Sequence, residues 1–279
     1  MRVVWQLLAV VAVWAIGGQC VNAVDGNPWL TLLIGLVTSV LAVLLYRWVV
    51  GRTERRPVTE LAREGAPSAL GRGALIGLVL FVAVIANIAL LGDYEVNGLG
   101  SVTGAVGFVG FMAAAAVTEE VVFRGVLFRI VEERAGTLIA LTSTGLLFGL
   151  MHLANPDANL WGALAIAIEA GGMLGAAYAA TRSLWLPIGL HFAWNFAAAG
   201  IFSSEVSGNG ASQGLLDSTA TGSPLVTGGD FGPEASVYAV LFGALMTLGF
   251  LWLAHRRGNL VPRGGRRTAP APAATTVPR

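Results

Sequence analysis

The chain is a succession of long apolar runs separated by short polar connections. A helix needs about 20 mostly apolar residues to cross the hydrocarbon layer of a membrane. Runs of this kind lie at residues 3–21, 29–50, 73–92, 104–128, 137–154, 160–181, 184–203 and 235–254. Only 12% of the residues are charged and the mean hydropathy is +0.72, whereas soluble domains carry about 25% charged residues. The pattern predicts an all-α fold, a polytopic bundle of about eight transmembrane helices.

The first apolar run has two interpretations. Arg2, the apolar residues after it and the small residues around Ala23 resemble a signal peptide. However, a second apolar run follows almost at once and two tryptophans interrupt the first. We therefore interpret residues 3–21 as a retained transmembrane helix. The single Cys20 excludes an internal disulfide and a cysteine-rich zinc site.

Arginine marks one side of the predicted membrane topology. Every one of the 17 basic residues is an arginine, and arginines occupy the connection 47–72, the turns near Arg134 and Arg182, and the chain after the last span. The alternate connections contain acidic residues and no arginine: 22–28, 93–103, 155–159 and 204–234. By the positive-inside rule both termini are cytoplasmic. We expect a multi-pass protein of the plasma membrane, in contact with lipid; the net charge of +1 does not indicate a nucleic-acid partner.

The same pattern predicts five regions. Three N-terminal transmembrane helices with an arginine-rich cytoplasmic loop cover residues 1–103, and a membrane core covers 104–203. A flexible extracytoplasmic loop rich in Gly, Ser and Thr follows at 204–234, then the last transmembrane helix at 235–254. The basic tail, 255–279, is predicted to be disordered and cytoplasmic.

Several polar side chains lie inside the apolar runs, where a charge costs several kcal/mol and usually marks function. They are Glu119, Glu120, Arg124, His152, Glu169, His191 and Asn195. Residues four apart share a helix face, so Glu120 and Arg124 are predicted to pair as structural support. Glu119 points about 100° away from Glu120 and stays free to face a cavity. His191 and Asn195 are also four apart and present their side chains to the same region.

Depth in the membrane relates two of these groups. Glu119 lies 17 residues before Gly136, where a helical hairpin turns, and His152 lies 16 residues after it. In antiparallel helices both positions are on the order of 24 Å from the turn. Phe148 precedes His152 by one helical turn and is predicted to pack beside its ring. The sequence thus predicts that a carboxylate and two imidazoles converge in one bundle, while Glu169 is a possible additional site residue or a helix–helix contact.

Three motifs in this order resemble a known family. Residues 119–124 fit Glu-Glu-x-x-x-Arg, residues 148–152 fit Phe-x-x-x-His, and residues 191–195 fit His-x-x-x-Asn. Together, over roughly residues 104–200, they resemble the CPBP family, which comprises CAAX proteases and bacteriocin-processing enzymes and is also called the Abi family. The resemblance implies an intramembrane endopeptidase in which Glu119 and His152 activate a water molecule. It also implies that His191 and Asn195 stabilise the oxyanion of the tetrahedral intermediate.

Alternatives differ in cofactor and in function. Glu119, His152 and His191 could hold zinc with an open position for water, although a metal-free, glutamate-dependent reaction is favoured. The expected substrate is a peptide or a membrane-protein segment, cleaved within or near the cytoplasmic leaflet; the sequence specifies neither its identity nor an oligomeric state. The second hypothesis is a non-catalytic scaffold or a bacteriocin self-immunity protein, in which the same residues brace the bundle. A proton-coupled transporter is a third, but the inverted repeats expected of one are not evident.

Overall fold

The apolar runs form helices whose ends follow the predicted spans closely. A computed structural model describes residues 2–210 and 212–264. The longer helices are α1 (Arg2–Asn22), α2 (Pro28–Glu54), α3 (Ala66–Leu90), α4 (Val102–Glu120), α5 (Arg129–Ala135), α6 (Thr137–Met151), α7 (Leu160–Ile166), α8 (Met173–Thr181), α9 (Trp185–Phe196) and, after the single turn α10 (Pro224–Thr227), α11 (Val237–Arg256). Three π-helical segments follow α4, α7 and α9 without a break, at Val121–Phe128, Ala167–Gly172 and Ala197–Ile201.

Seven helical stretches of the described residues are long and apolar enough to cross a membrane. The predicted span 184–203 is the exception, because α9 has twelve residues and its π-helical extension five. This shorter helix lies inside the bundle, packed against α3 and α4, so few of its residues face lipid. The predicted all-α polytopic bundle is confirmed, with seven full-length spans and a shorter buried helix instead of eight equal spans.

Polar caps start four of the helices. Asn27 accepts hydrogen bonds from the Trp29 and Leu30 backbone N–H groups at the start of α2, where Pro28 supplies the first helical residue. Ser101, Asn159 and Ser236 cap α4, α7 and α11 in the same way. Each cap satisfies a backbone donor that the first helical turn leaves without a partner. Asn27, Ser101 and Asn159 belong to connections predicted to be extracytoplasmic, and Ser236 lies two residues after the fourth such connection.

Ion pairs hold the arginine-rich end together. Arg129 pairs with Glu54 at 2.8 Å, Arg2 pairs with Glu133, and Arg182 pairs with Glu132. These pairs join the start of α1, the end of α2, α5 and the turn after α8. All of them lie at or next to the chain ends and connections that are predicted to be cytoplasmic. The structure therefore gathers the arginine-bearing connections at one end of the bundle. Which side of the membrane this end faces remains a prediction.

The opposite end carries a small sheet that was not predicted. Strands β1 (Tyr94–Leu99) and β2 (Leu216–Ala220) pair antiparallel, with Tyr94 opposite Ala220 and an irregularity between Val96 and Gly98. The prediction of a flexible loop at 204–234 is therefore corrected, because this segment holds β2, α10 and two short 3₁₀ turns. The buried side chain of Phe231 lies directly over Gly162 and anchors the segment to α7.

The chain after α11 is also folded where the structure describes it. Asn259 donates to the Ala180 carbonyl at 2.9 Å, and Thr137 exchanges two hydrogen bonds with the Val261 backbone. These contacts hold the chain against the turn at Gly136, whose positive φ of 89° favours glycine. The predicted disorder of residues 255–279 is therefore wrong for 255–264; residues 265–279 lie outside the described part.

Candidate active site

Glu120 and Arg124 form a buried pair one helical turn apart. Arg124 Nη1 lies 2.7 Å from Glu120 Oε1, and neither side chain is more than 3% exposed. The pairing predicted from their spacing is confirmed. The second guanidinium nitrogen donates to the carbonyls of Ala170 and Gly171, at 3.0 and 3.4 Å. Both carbonyls belong to a π-helical segment, where irregular helix geometry makes backbone acceptors available to side chains.

His191 joins the two adjacent glutamates. Its Nδ1 lies 2.9 Å from Glu120 Oε1, and its Nε2 lies 3.8 Å from Glu119 Oε2. Since a carboxylate only accepts hydrogen bonds, Nδ1 carries the proton and Nε2 is turned toward Glu119. The Glu120 side chain is fully buried, whereas the Glu119 side chain is 14% exposed. The two neighbours therefore differ as the 100° rotation between them predicts, with Glu119 as the accessible carboxylate.

The Phe148 ring contacts both histidines. Its centroid lies 4.8 Å from the His152 ring and 6.1 Å from the His191 ring. The Arg124 guanidinium sits over the same ring at 4.8 Å, within the range of a cation–π interaction. The predicted packing of Phe148 beside His152 is confirmed. Within the described residues, no hydrogen bond or ion pair joins Glu119 directly to His152.

His152 sits where α6 ends and a 3₁₀ turn, His152–Ala154, begins. Its Nδ1 lies 2.7 Å from the Phe148 carbonyl oxygen. A carbonyl can only accept, so Nδ1–H is the donor and Nε2 of the neutral ring is free to accept a proton. Asn195 lies one turn after His191 on α9 and is 9% exposed. The turn at His152 hydrogen-bonds to the segment that contains β2, so it lies opposite the arginine-rich end; the expected position near the cytoplasmic leaflet does not fit the predicted orientation.

Glycines set the close spacing of the helices that carry these residues. A methyl group on Gly149 would overlap the Ala163 carbonyl oxygen, and one on Gly77 would overlap the Leu190 carbonyl oxygen. The first contact lets α6 approach α7 just before His152. The second lets α3 approach α9 beside His191. Small residues at helix crossings are the usual means of close backbone approach in membranes.

Glu169 is buried but does not contact the other predicted site residues. Its side chain is 0% exposed, and neither carboxyl oxygen has a hydrogen-bond partner in the described part of the chain. It lies in the π-helical segment after α7, against the backbone of Gly243 on α11. The carboxyl group lies at a contact between helices, which is the helix–helix alternative considered for it from the sequence, and the charges of Arg124 and Glu234 are near enough to act on it.

Glu234 is a buried acidic residue that the sequence patterns did not single out. Its side chain is 1% exposed, and it accepts hydrogen bonds from Trp194 Nε1 at 3.1 Å and from Ser207 N and Oγ at 2.6 and 2.7 Å. Burial raises the pKa of Glu234, while the Ser207 hydrogen bond, the charge of His152 and the Trp194 hydrogen bond oppose that rise. The only sequence signal was an acidic residue just before an apolar span.

The residues named for the zinc alternative do not form a metal site. Among residues 2–210 and 212–264, no group of three or more His, Cys, Asp or Glu side chains is arranged to hold a metal ion. Glu120 occupies His191 Nδ1, and the Phe148 carbonyl occupies His152 Nδ1. These bonds leave Nε2 of both rings free, and a histidine that binds zinc through one nitrogen usually donates its other N–H to a carboxylate or a carbonyl. Zinc held by Glu119, His152 and His191 therefore stays an alternative to the glutamate-dependent reaction.

A family model described as "Type II CAAX prenyl endopeptidase Rce1-like" matches residues 101–197. Residues 101–197 are therefore similar to the type II CAAX prenyl endopeptidases. The resemblance seen in the three motifs is confirmed, since the match spans α4 to α9 and includes Glu119, His152, His191 and Asn195. Glu234 and Ser207 lie outside the matched region, although they contact it. No match to the chain was found among curated proteins or among solved structures.

Proposed function

We propose that the chain is an intramembrane endopeptidase that hydrolyses a peptide bond with a water molecule activated at Glu119. Its similarity to a family of CAAX-type membrane proteases supports the reaction class. The observation that carries the proposal is that the two adjacent carboxylates differ in burial and in hydrogen-bond partners. Glu120 is buried and bonded to Arg124 and His191, whereas Glu119 is accessible and faces His191 Nε2.

The water molecule reacts between Glu119 and the histidines. One of its protons goes to the Glu119 carboxylate or to His152 Nε2, and its oxygen forms a bond to the carbonyl carbon of the substrate. The carbonyl oxygen becomes an oxyanion. The carbon–nitrogen bond then breaks, and the proton is delivered to the leaving amine. A general base must reach the proton directly or through one water, which the partly exposed Glu119 side chain allows.

Asn195 and His191 supply the hydrogen-bond donors that stabilise the negative charge of the intermediate. The Asn195 amide can donate to the oxyanion, and a protonated His191 can donate from Nε2 while Nδ1–H stays bonded to Glu120. Removing one such donor in other hydrolases costs about 2.7–4 kcal/mol of transition-state stabilisation. Glu120 holds the His191 ring in the required orientation before the substrate arrives, so little reorganisation accompanies the reaction.

The substrate class follows from the surroundings of the site. A cavity of about 940 Å³ lies beside the chain that follows the His152 turn. It is lined by Asp157, Trp161, Glu205, Asp230 and Pro233, among others, and by none of the proposed catalytic residues. We propose that a polar peptide or a membrane-protein segment reaches the site from this side. We retain the plasma membrane and two cytoplasmic termini as part of the proposal. With that orientation the cavity faces the extracytoplasmic side.

The test compares the wild-type chain with Glu119→Gln, both purified in detergent and shown to unfold at the same temperature. The probes are farnesylated and unprenylated CAAX-type peptides and a set of transmembrane-segment peptides, with products identified by mass spectrometry. Cleavage by the wild type that Glu119→Gln abolishes supports the proposal. Equal cleavage by both proteins refutes the role of Glu119, and no cleavage of any probe favours the scaffold hypothesis.

A second arm addresses the metal. Because the described residues lack a metal-binding group, we expect activity to survive dialysis against a strong chelator. Complete loss of activity that added zinc restores contradicts the glutamate-dependent reaction and favours the zinc-dependent one.

A further inference from the structure

A series of hydrogen bonds, partly buried at Asn155 and fully buried at Glu234, links the His152 turn to the helix that carries His191 and Asn195. The Asn155 backbone N–H donates to the His152 carbonyl at 3.1 Å, and the Asn155 side chain donates to the Ser207 carbonyl at 2.6 Å. Ser207 then donates twice to Glu234, and Glu234 accepts from Trp194. The chain of contacts thus begins at one predicted catalytic residue and ends on the helix of two others.

Both ends of this hydrogen-bond series are held by further contacts. Trp194 lies between His191 and Asn195 on α9, is 3% exposed and packs edge-on against Phe81 at 5.2 Å. At the other end, the Asp157 N–H donates to the Gly208 carbonyl, and the Gly208 N–H donates to the Phe231 carbonyl. Neither α6 nor α9 can shift along the other without breaking several of these bonds. The spacing of the two histidines therefore depends on a residue that belongs to neither helix.

Glu234 is the centre of this arrangement because it joins both ends through two different oxygens. Oε1 binds the α9 side and Oε2 binds the Ser207 side. A carboxylate has two accepting oxygens, and a glutamine has only one; its amide nitrogen would face a donor and lose that bond. The charge of Glu234 is also close enough to His152 to interact with it electrostatically. An anion beside an imidazole stabilises the positive ring that forms when His152 accepts a proton.

We propose that Glu234 is a positioning residue for the hydrolysis, which sets the distance between the His152 turn and α9 and faces the charge that develops on His152. The inference rests on the proposed function. It also makes the segment 204–236 part of the active site, although the family match ends at residue 197. Glu234 itself touches neither the substrate nor the reacting water.

The experiment measures kcat and KM of the full chain in detergent for whichever of the above peptides the wild type cleaves. We expect Glu234→Gln to lower kcat ten- to a hundredfold and to change KM less than about threefold, since the lost groups act on the reacting histidine. Glu234→Asp keeps the charge and both accepting oxygens, so its kcat should exceed that of Glu234→Gln. The matched control is Asp217→Asn, which changes an exposed carboxylate of the same segment that does not line the cavity and should leave kcat unchanged.

The outcomes separate this inference from the proposed function. If Glu119→Gln abolishes cleavage while Glu234→Gln keeps wild-type kcat, the positioning role is wrong and the protease assignment stands. If Glu234→Gln and Asp217→Asn lose activity equally, the effect is a general one of acidic residues in the segment and the inference is refuted. If Glu234→Gln unfolds, Ser207→Ala gives the second test, because it removes only the hydroxyl donor to Oε2 and should lower kcat in the same direction.

Discussion

The Glu120–Arg124 pair allows a quantitative test of how the site is held. Glu120→Gln removes the negative charge beside a guanidinium that is 3% exposed. Arg124 Nη1 and His191 Nδ1 both bond to Glu120 Oε1, and the amide oxygen of glutamine can accept both hydrogen bonds, so the variant tests the charge. Removing the charge of one partner of a buried ion pair typically costs about 3–5 kcal/mol, because the other charge stays buried without compensation. We therefore expect Glu120→Gln to destabilise the chain by about 4 kcal/mol.

The double variant Glu120→Gln, Arg124→Met separates charge from packing. With both charges gone, no uncompensated ion remains, and replacement of a whole buried pair by neutral groups is often nearly neutral. The double variant should therefore be more stable than Glu120→Gln alone. Reversible unfolding in mixed micelles by added sodium dodecyl sulfate, followed by tryptophan fluorescence, gives the three free energies. A loss below about 1 kcal/mol in Glu120→Gln, or a double variant less stable than Glu120→Gln, refutes the reasoning.

Three further predictions concern other parts of the bundle. Burial raises the pKa of Glu60, but hydrogen bonds from Arg56 and other donors outweigh it and the pKa lies below its usual 4.5; the ionised form thus adds stability above pH 4.5 that is lost as pH falls through the lowered pKa. Glu60→Gln should cost about 1–3 kcal/mol at pH 7 and flatten the loss of unfolding temperature as the pH falls below 4.5; an unchanged acid profile contradicts this. Neither carboxyl oxygen of Glu169 has a hydrogen-bond partner in the described part of the chain. Glu169→Gln should therefore unfold at or above the wild-type temperature and keep its kcat within about threefold of the wild type. A tenfold lower kcat at unchanged stability would assign Glu169 a role in the reaction. Gly149→Ala should lower the free energy of unfolding by about 1–3 kcal/mol and lower kcat, because its methyl group would overlap a carbonyl oxygen of the facing helix. The control Gly18→Ala places its methyl group in open space and should not destabilise the protein. Equal unfolding temperatures of the two variants would count against the close helix contact at Gly149.

The helices and the contacts within a helix could be predicted because their causes are local. Length and hydropathy locate the spans, and spacing of four residues places Glu120 with Arg124. Spacing also explains why Glu119 is accessible and Glu120 is not, since adjacent residues differ by 100° around the axis. Phe148 beside His152 follows from the same rule. These features need no knowledge of how one helix packs on another.

The contacts between distant segments could not be predicted. The hydrogen bond from His191 to Glu120 depends on the rotation of α9, which a helix pattern leaves open. The strand pair that joins residues 94–99 to 216–220 depends on a pairing across more than 100 positions, and the polar composition of both segments resembles that of a linker. Glu234 was counted with the loop acids for the same reason. A residue that bonds two helices at once has no signature within either helix.

The segment 204–236 contributes to how the His152 turn is held in place. Glu119, His152, His191 and Asn195 all lie on helices that neighbouring helices pack against, yet His152 begins a 3₁₀ turn that has left the regular helix. A residue at a helix end is held less firmly than one in its interior, since the last turn lacks part of its backbone hydrogen bonding. The bonds through Asn155, Ser207 and Glu234 supply the missing restraint from outside the matched region. The proposed catalytic role of His152 at a helix end therefore depends on support from outside the helix, which Asn155, Ser207 and Glu234 provide.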